Sequence, residues 1–225
     1  MPLPPIIFID KPTGMTSFDV IRVLRRRTGV KKFGHAGTLD PAATGLMILG
    51  ANEGTKQLTE YIKLDKAYEA EILIGESRTT GDMDGEVLET VAGVQVAEDD
   101  VRAAMRLMVG TLTLPVSAYS AIKKDGVPMY KRAYAAAKLG EIVRDVPVRD
   151  MKVYEAKVLD MYMRQVAGEE RIIVRVHFHV GSGTYVRSLG EELGRHLGYP
   201  ATLYSLRRTQ IGKWTLKDAK KLEDF

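Results

Sequence analysis

The residues that could carry chemistry cluster in one stretch, Gly34-His35-Ala36-Gly37-Thr38-Leu39-Asp40-Pro41-Ala42-Ala43-Thr44-Gly45-Leu46-Met47-Ile48-Leu49-Gly50. Gly34, Gly37 and Gly45 permit a positive φ or the close approach of another backbone. Pro41 pushes Asp40 out of the helical region and into an extended shape. Leu46 to Leu49 is a short apolar run and reads as a buried strand. A carboxylate is therefore held on a stiff loop at the edge of a core, a placement that suits a nucleophile or a base. His35 precedes Asp40 by five residues, with no lysine or arginine between them. Spacing alone leaves a second reading open, a solvated aspartate in a tight turn with a chance histidine.

The elements around this stretch follow from pattern. Ile6 to Asp10 reads as a strand ended by Lys11-Pro12-Thr13-Gly14. Thr16 or Ser17 caps the next helix, and Thr16 with Asp19 fits a capping box. The helix they open has Val20, Ile21 and Leu24 on one face and ends at Gly29. Its tail, Arg25-Arg26-Arg27 followed by Lys31-Lys32, suits either a dipole-friendly helix end or a phosphate-contacting patch. Glu53 to Ile62 looks helical. Lys66 to Gly75 alternates, with Tyr68, Ala70, Ile72 and Ile74 on one strand face; Tyr68 by itself fits a core tyrosine with its hydroxyl at the margin. Thr79 to Gly85 reads as a surface hairpin turn, since an EF-hand spacing is absent. Asp99 to Val109 is an amphipathic helix.

Further along, Tyr119, Lys123, Lys124, Tyr130, Lys131, Arg132 and Tyr134 mix cations with rings. That mixture suits a nucleic-acid surface or an ordinary exposed helical insertion. Val153 to Tyr162 and Arg171 to Val180 read as paired strands around a turn at 166–170. A helix begins at about Thr184, with Gly190 and Gly194 allowing close approach. Arg187 falls in its first turn, where a cation opposes the dipole. It fits either a surface pair with Glu191 or a buried ion pair to Asp40.

Composition bounds the rest. The chain has 225 residues, 45% hydrophobic and 28% charged, with a formal net charge of +4, the composition of a globular protein. It has no cysteine and four histidines, so thiolate chemistry is excluded and no convincing metal-ligand set emerges. No apolar run reaches the length of a membrane span. The N-terminus lacks a basic region followed by an apolar core. A cytoplasmic protein without membrane association is expected.

The stretch from Gly34 to Leu46 resembles the signature of the TruB family of pseudouridine synthases, which isomerise uridine 55 in the T arm of tRNA. Lys66-Ala67-Tyr68-Glu69-Ala70 and Gly183-Thr184-Tyr185-Val186-Arg187-Ser188-Leu189 resemble its second and third motifs, and Ser205-Leu206-Arg207-Arg208-Thr209 a fourth segment. The resemblance covers about residues 5 to 215. It implies an α+β pseudouridine synthase fold, a mixed and mostly antiparallel sheet with flanking helices and a thumb insertion near residues 119 to 149. It also implies one catalytic domain over residues 1 to 225, without the C-terminal PUA-type domain that members commonly carry.

The same resemblance assigns roles. Asp40 attacks or acts as base, Tyr68 stacks on the base and takes the C5 proton, and Arg187 pairs with Asp40. His35 fills the gap left by the flipped nucleotide, Lys11 shapes the wall and Leu206 lines the pocket. Lys123, Lys124, Arg132 and Arg208 are expected at the RNA. No cofactor and no metal are implied. The implied partner is the tRNA T stem-loop, met by a monomer without guide RNA. A tRNA-folding chaperone with weak or lost catalysis is the alternative, and a hydrolase using His35 and Asp40 leaves the tyrosine and arginine motifs unexplained.

Overall fold

The computed structural model describes residues 3–225. In chain order its elements are β1 (Ile6–Lys11), α1 (Ser17–Thr28), β2 (Phe33–His35), β3 (Thr44–Ala51), α2 (Leu58–Ile62), β4 (Lys66–Ile74), β5 (Glu76–Arg78), β6 (Val87–Thr90) and α3 (Glu98–Leu107). Next come β7 (Gly110–Pro115), β8 (Lys123–Lys124), β9 (Val127–Pro128), α4 (Met129–Ala137), β10 (Val148–Val166), β11 (Glu169–Val180), α5 (Val186–Leu197), β12 (Ala201–Ile211) and β13 (Trp214–Thr215). The chain is thus α+β, with a mixed and mostly antiparallel sheet. Among the described residues no helix is long and apolar enough to cross a membrane.

Two units are distinguished. The first comprises residues up to Glu69, His179–Ser182 and Leu206–Phe225; the second comprises Ala70–Phe178 and Gly183–Ser205. Strands β4, β11 and β12 each run from one unit into the other along the chain.

In the first unit the strand order is β1-β3-β12, with β2 also on β3 and β13 on β12. β1 and β2 run antiparallel to β3, and β12 runs parallel to it. From Gly45 to Ala51, β3 is buried at every position, as its continuous apolar run requires. Leu46 and Ile48 pack with Ala36, Leu58 and Ile211. Trp214 closes this core, stacked on Phe8 at 5.7 Å and tilted against Tyr61 at 5.0 Å. Helix α1 opens on the expected capping box, Thr16 with Asp19, and ends on Gly29 with φ 72°.

In the second unit the order is β12-β4-β11-β10-β7. A two-residue turn joins β10 to β11, with Ala167 and Gly168 at φ 52° and 85°, the left-handed pair that a tight hairpin demands. Helix α5 lies close against the segment that leads from it into β12. A Cβ on Gly194 would stand 2.5 Å from the Tyr199 carbonyl oxygen and 2.6 Å from the Ala201 Cβ. The stretch at 79–85, expected as a surface turn, joins β5 to β6 but buries Gly81 and Gly85.

Gly45 fixes the contact between β3 and β12. It has φ +105°, and a Cβ there would lie 2.2 Å from the Arg208 carbonyl oxygen. A side chain is thus opposed both by backbone strain and by collision with main chain that cannot move aside. Gly45→Ala is expected to cost about 2 kcal/mol or more. Urea unfolding measures it, and a loss below about 0.5 kcal/mol contradicts this role for Gly45.

Candidate active site around the Asp40 loop

The loop between β2 and β3 carries Asp40, which is half-buried. It is built as expected: Gly37 and Gly45 take φ of 98° and 105°, and the Ala43 amide donates to the Asp40 carbonyl at 3.1 Å. Sequence reading did not reveal how densely it is clamped.

Three buried side chains hold it. Lys11 is 0% exposed, and its Nζ donates to the carbonyls of Pro12 at 2.9 Å, Met15 at 2.6 Å and Pro41 at 3.1 Å. Ser17 is 3% exposed; its Oγ accepts from the Leu39 amide at 2.9 Å and donates to the Leu39 carbonyl at 3.1 Å. Arg208 is 1% exposed; its guanidinium donates to the carbonyls of Leu46 at 2.7 Å, Gly37 at 3.2 Å and Thr38 at 3.5 Å. The loop therefore has its two ends tied by one guanidinium and the residues flanking Asp40 tied by two further groups.

Electrostatics follow from this burial. Loss of water, opposed by the Asp40 carboxylate and aided by Arg208, leaves the Lys11 ammonium lowered to about 8. Lys66 is likewise lowered to about 8 by burial and by Arg208. Its Nζ donates to the carbonyls of Ile62 at 2.9 Å and Leu64 at 2.5 Å. Burial also lowers the His35 imidazole, helped by Arg208, so this ring is predominantly neutral at neutral pH. Its Nδ1 is buried without a hydrogen-bond partner among the described residues.

The first unit therefore holds Asp40, His35, Lys11, Tyr68, Leu206 and Arg208. Tyr68 is 6% exposed on β4 and Leu206 half-buried on β12. Arg208, expected to touch RNA, faces inward onto main-chain carbonyls.

Arg187 belongs to the second unit, near the start of α5. It is buried. Its NH1 donates to the Thr80 carbonyl at 3.0 Å and to Ser117 Oγ at 3.1 Å, and pairs with Asp82 at 3.4 Å; its NH2 reaches the Tyr119 carbonyl at 3.5 Å. Of the two readings the sequence left open for Arg187, burial rules out the surface pair with Glu191. Lys123 is exposed, Lys124 pairs with Asp145, and Arg132 pairs with Asp125 at 3.0 Å.

Three participants escaped sequence reading. Ser17 looked like an alternative cap. Asp82 looked like a turn residue. Lys66 shares the inward register of β4 with Tyr68, and that parity was the available signal.

A fold of this kind with a carboxylate on a clamped strand-to-strand loop defines a class, and comparison with known proteins supplies it. Residues 25–186 match the family model described as TruB family pseudouridylate synthase (N terminal domain). A protein of Corynebacterium efficiens named tRNA pseudouridine synthase B is 41% identical over 220 residues, 98% of this chain and 71% of that protein. The protein of the same name from Arthrobacter sp. (strain FB24) is 40% identical over 220 residues, 98% and 70% of the two chains. Among solved structures, a chain of a Cbf5-Nop10-Gar1 complex superposes with TM-score 0.70 at 24% identity, and one of an H/ACA RNP bound to a substrate RNA containing 2'-deoxyuridine with TM-score 0.69 at 24%. Each match takes in 97% of this chain and about half of the other, 52% and 51%. The chain is a member of the TruB family of pseudouridylate synthases.

The lowered Lys11 value sets a pH dependence. An unburied lysine titrates near 10.5 and the folded one near 8. Between those values the unfolded chain keeps a proton that the folded chain has released, so this group adds stability as pH rises through that window. In urea unfolding at about pH 7 and about pH 9.5, the wild type should gain stability relative to Lys11→Met at the higher pH. Lys66 is present in both proteins and cancels. The same pH response in both would contradict the assignment.

Proposed function

We propose that this chain isomerises uridine 55 in the T loop of tRNA to pseudouridine. The observation that carries the reading is the Asp40 loop, its carboxylate held between clamped neighbours in a chain whose relatives are named tRNA pseudouridine synthase B. The reaction breaks the N1–C1′ bond, turns the base, joins C5 to C1′ and releases the C5 proton. The nucleotide must first leave its stack. Asp40 acts as nucleophile or base beside the sugar. Tyr68 lies against the base and takes the C5 proton. Arg187 supplies the positive charge that the third motif brings to the reaction, and Leu206 completes the apolar wall.

The substrate is an anion, and the charge distribution supports it. Six basic side chains and no acidic one occur from Val20 to Leu39, in a chain of net charge +4. The remainder is therefore net acidic. On the outer face of α1, Phe18 is 49% exposed, with the guanidinium groups of Arg22 and Arg25 over its ring at 5.1 and 5.6 Å. Arg26 in the same helix and Lys31 and Lys32 just after it are exposed. Cations interleaved with a ring suit a nucleic-acid backbone and its bases. In the second unit, residues 119–149 supply the thumb that grips the T stem, with Tyr119 edge-on to Tyr134 at 5.3 Å. The protein works as a cytoplasmic monomer without guide RNA.

An unmodified tRNA transcript tritiated at uridine C5 tests the reaction. Label should be released to water, and replacing the T-loop uridine by cytidine should prevent it. Tight tRNA binding without release would instead favour a folding chaperone. For the thumb, Lys123→Ala with Lys124→Ala should flatten the dependence of log affinity on log salt by about 1–2. Lys123 should contribute more, because Lys124 is engaged with Asp145. An unchanged slope would show that the thumb does not meet phosphate.

A further inference from the structure

We infer that Ser17 is a positioning residue, which sets the aim of Asp40 by holding the peptide that precedes it. The inference rests on the proposed isomerase reading for what Asp40 does, and on geometry for the clamp.

Ser17 is the first residue of α1, where a hydroxyl normally serves the helix. Here that task is already filled. Thr16 Oγ1 accepts from the Asp19 amide at 3.0 Å, and the Asp19 carboxylate accepts from the Thr16 amide at 3.0 Å. The Ser17 hydroxyl is surplus to the helix. It turns instead to a residue 22 positions away, and there it both accepts from the amide and donates to the carbonyl of the same residue, Leu39. Leu39 is 4% exposed and sits in a loop between strands. Without Ser17 both of its main-chain groups would lose these partners in a buried place.

The consequence for Asp40 comes from backbone geometry. The Leu39 carbonyl and the Asp40 amide share one planar peptide. Fixing the carbonyl fixes that plane, and with it the φ side of Asp40. On the other side Pro41 restricts the ψ of Asp40, and the Pro41 carbonyl is held by Lys11 Nζ and by the Gly14 amide at 2.9 Å. The chain on both sides of Asp40 is thus anchored from outside the loop, and with it the direction in which the Asp40 side chain leaves the backbone. Tolerance in such an arrangement is small, since about 1 Å of misplacement can cost about a hundredfold in rate.

The test compares two alanines on neighbouring residues. Thr16→Ala removes the helix cap and leaves the Leu39 bonds; Ser17→Ala does the reverse. With tritium release as the assay, Ser17→Ala should lower kcat about ten- to a hundredfold with tRNA affinity within about twofold of wild type. Thr16→Ala should lower the unfolding temperature and keep wild-type kcat. Ser17→Cys, slightly larger and a weaker donor, should fall between. Amide exchange gives a readout independent of turnover: Leu39 and Asp40 should exchange faster in Ser17→Ala and not in Thr16→Ala. Wild-type kcat in Ser17→Ala overturns the inference, as does equal loss in both variants or unaltered exchange at Leu39. A wild type that binds tRNA and releases no label defeats the isomerase reading instead. The exchange result then decides the clamp alone.

Discussion

The structure of the site depends on one buried guanidinium. Arg208 lies inside the first unit and donates to carbonyls at both ends of the loop that carries Asp40, Gly37 and Thr38 on one side and Leu46 on the other. A guanidinium has donors in a fixed planar fork, so it imposes a geometry on those carbonyls that a flexible cation would not. It reaches them because β12 runs parallel to β3, with Arg208 opposite Gly45. That pairing is tight because Gly45 has no side chain. A glycine chosen for its missing Cβ, a parallel strand pairing and a buried cation are thus one constraint.

Burying cations is costly unless their hydrogens find acceptors and their charge finds compensation. Arg208, Lys11 and Lys66 meet the first requirement with main-chain carbonyls. Those carbonyls carry dipoles, not charge, and burial still lowers both lysines to about 8. The Asp40 carboxylate opposes the shift at Lys11. The same negative charge that would attack the sugar therefore stabilises the cation that holds its loop. On the proposed reading, catalysis would use a carboxylate whose neighbouring peptides are already held.

Much of this was legible in the sequence wherever the cause was local. The Thr16 and Asp19 cap, the Gly29 stop, the inward face of β4 and the glycine-bearing Asp40 loop all depend on residues a few positions apart. What escaped depends on long-range packing. Arg208 reads locally as one of two adjacent arginines; its burial is decided by Gly45 far upstream. Arg187 could be read locally as a surface or a buried cation, because its partners Asp82, Thr80, Ser117 and Tyr119 come from two other segments. Ser17 was hidden for a different reason: beside Thr16 it looked like a redundant cap, and the redundancy was the clue.

The central claim is that the Asp40 carboxylate does the chemistry while the surrounding surface binds RNA. Asp40→Asn, nearly isosteric and uncharged, separates the two most directly. Turnover and tRNA affinity should be measured on the same preparation, with unfolding followed to confirm that the loop survives. Release of the C5 label should be abolished while affinity stays within about threefold of wild type, if, as proposed, phosphate contacts elsewhere carry most of the binding. Turnover at the wild-type rate would contradict the claim and return Asp40 to a structural role.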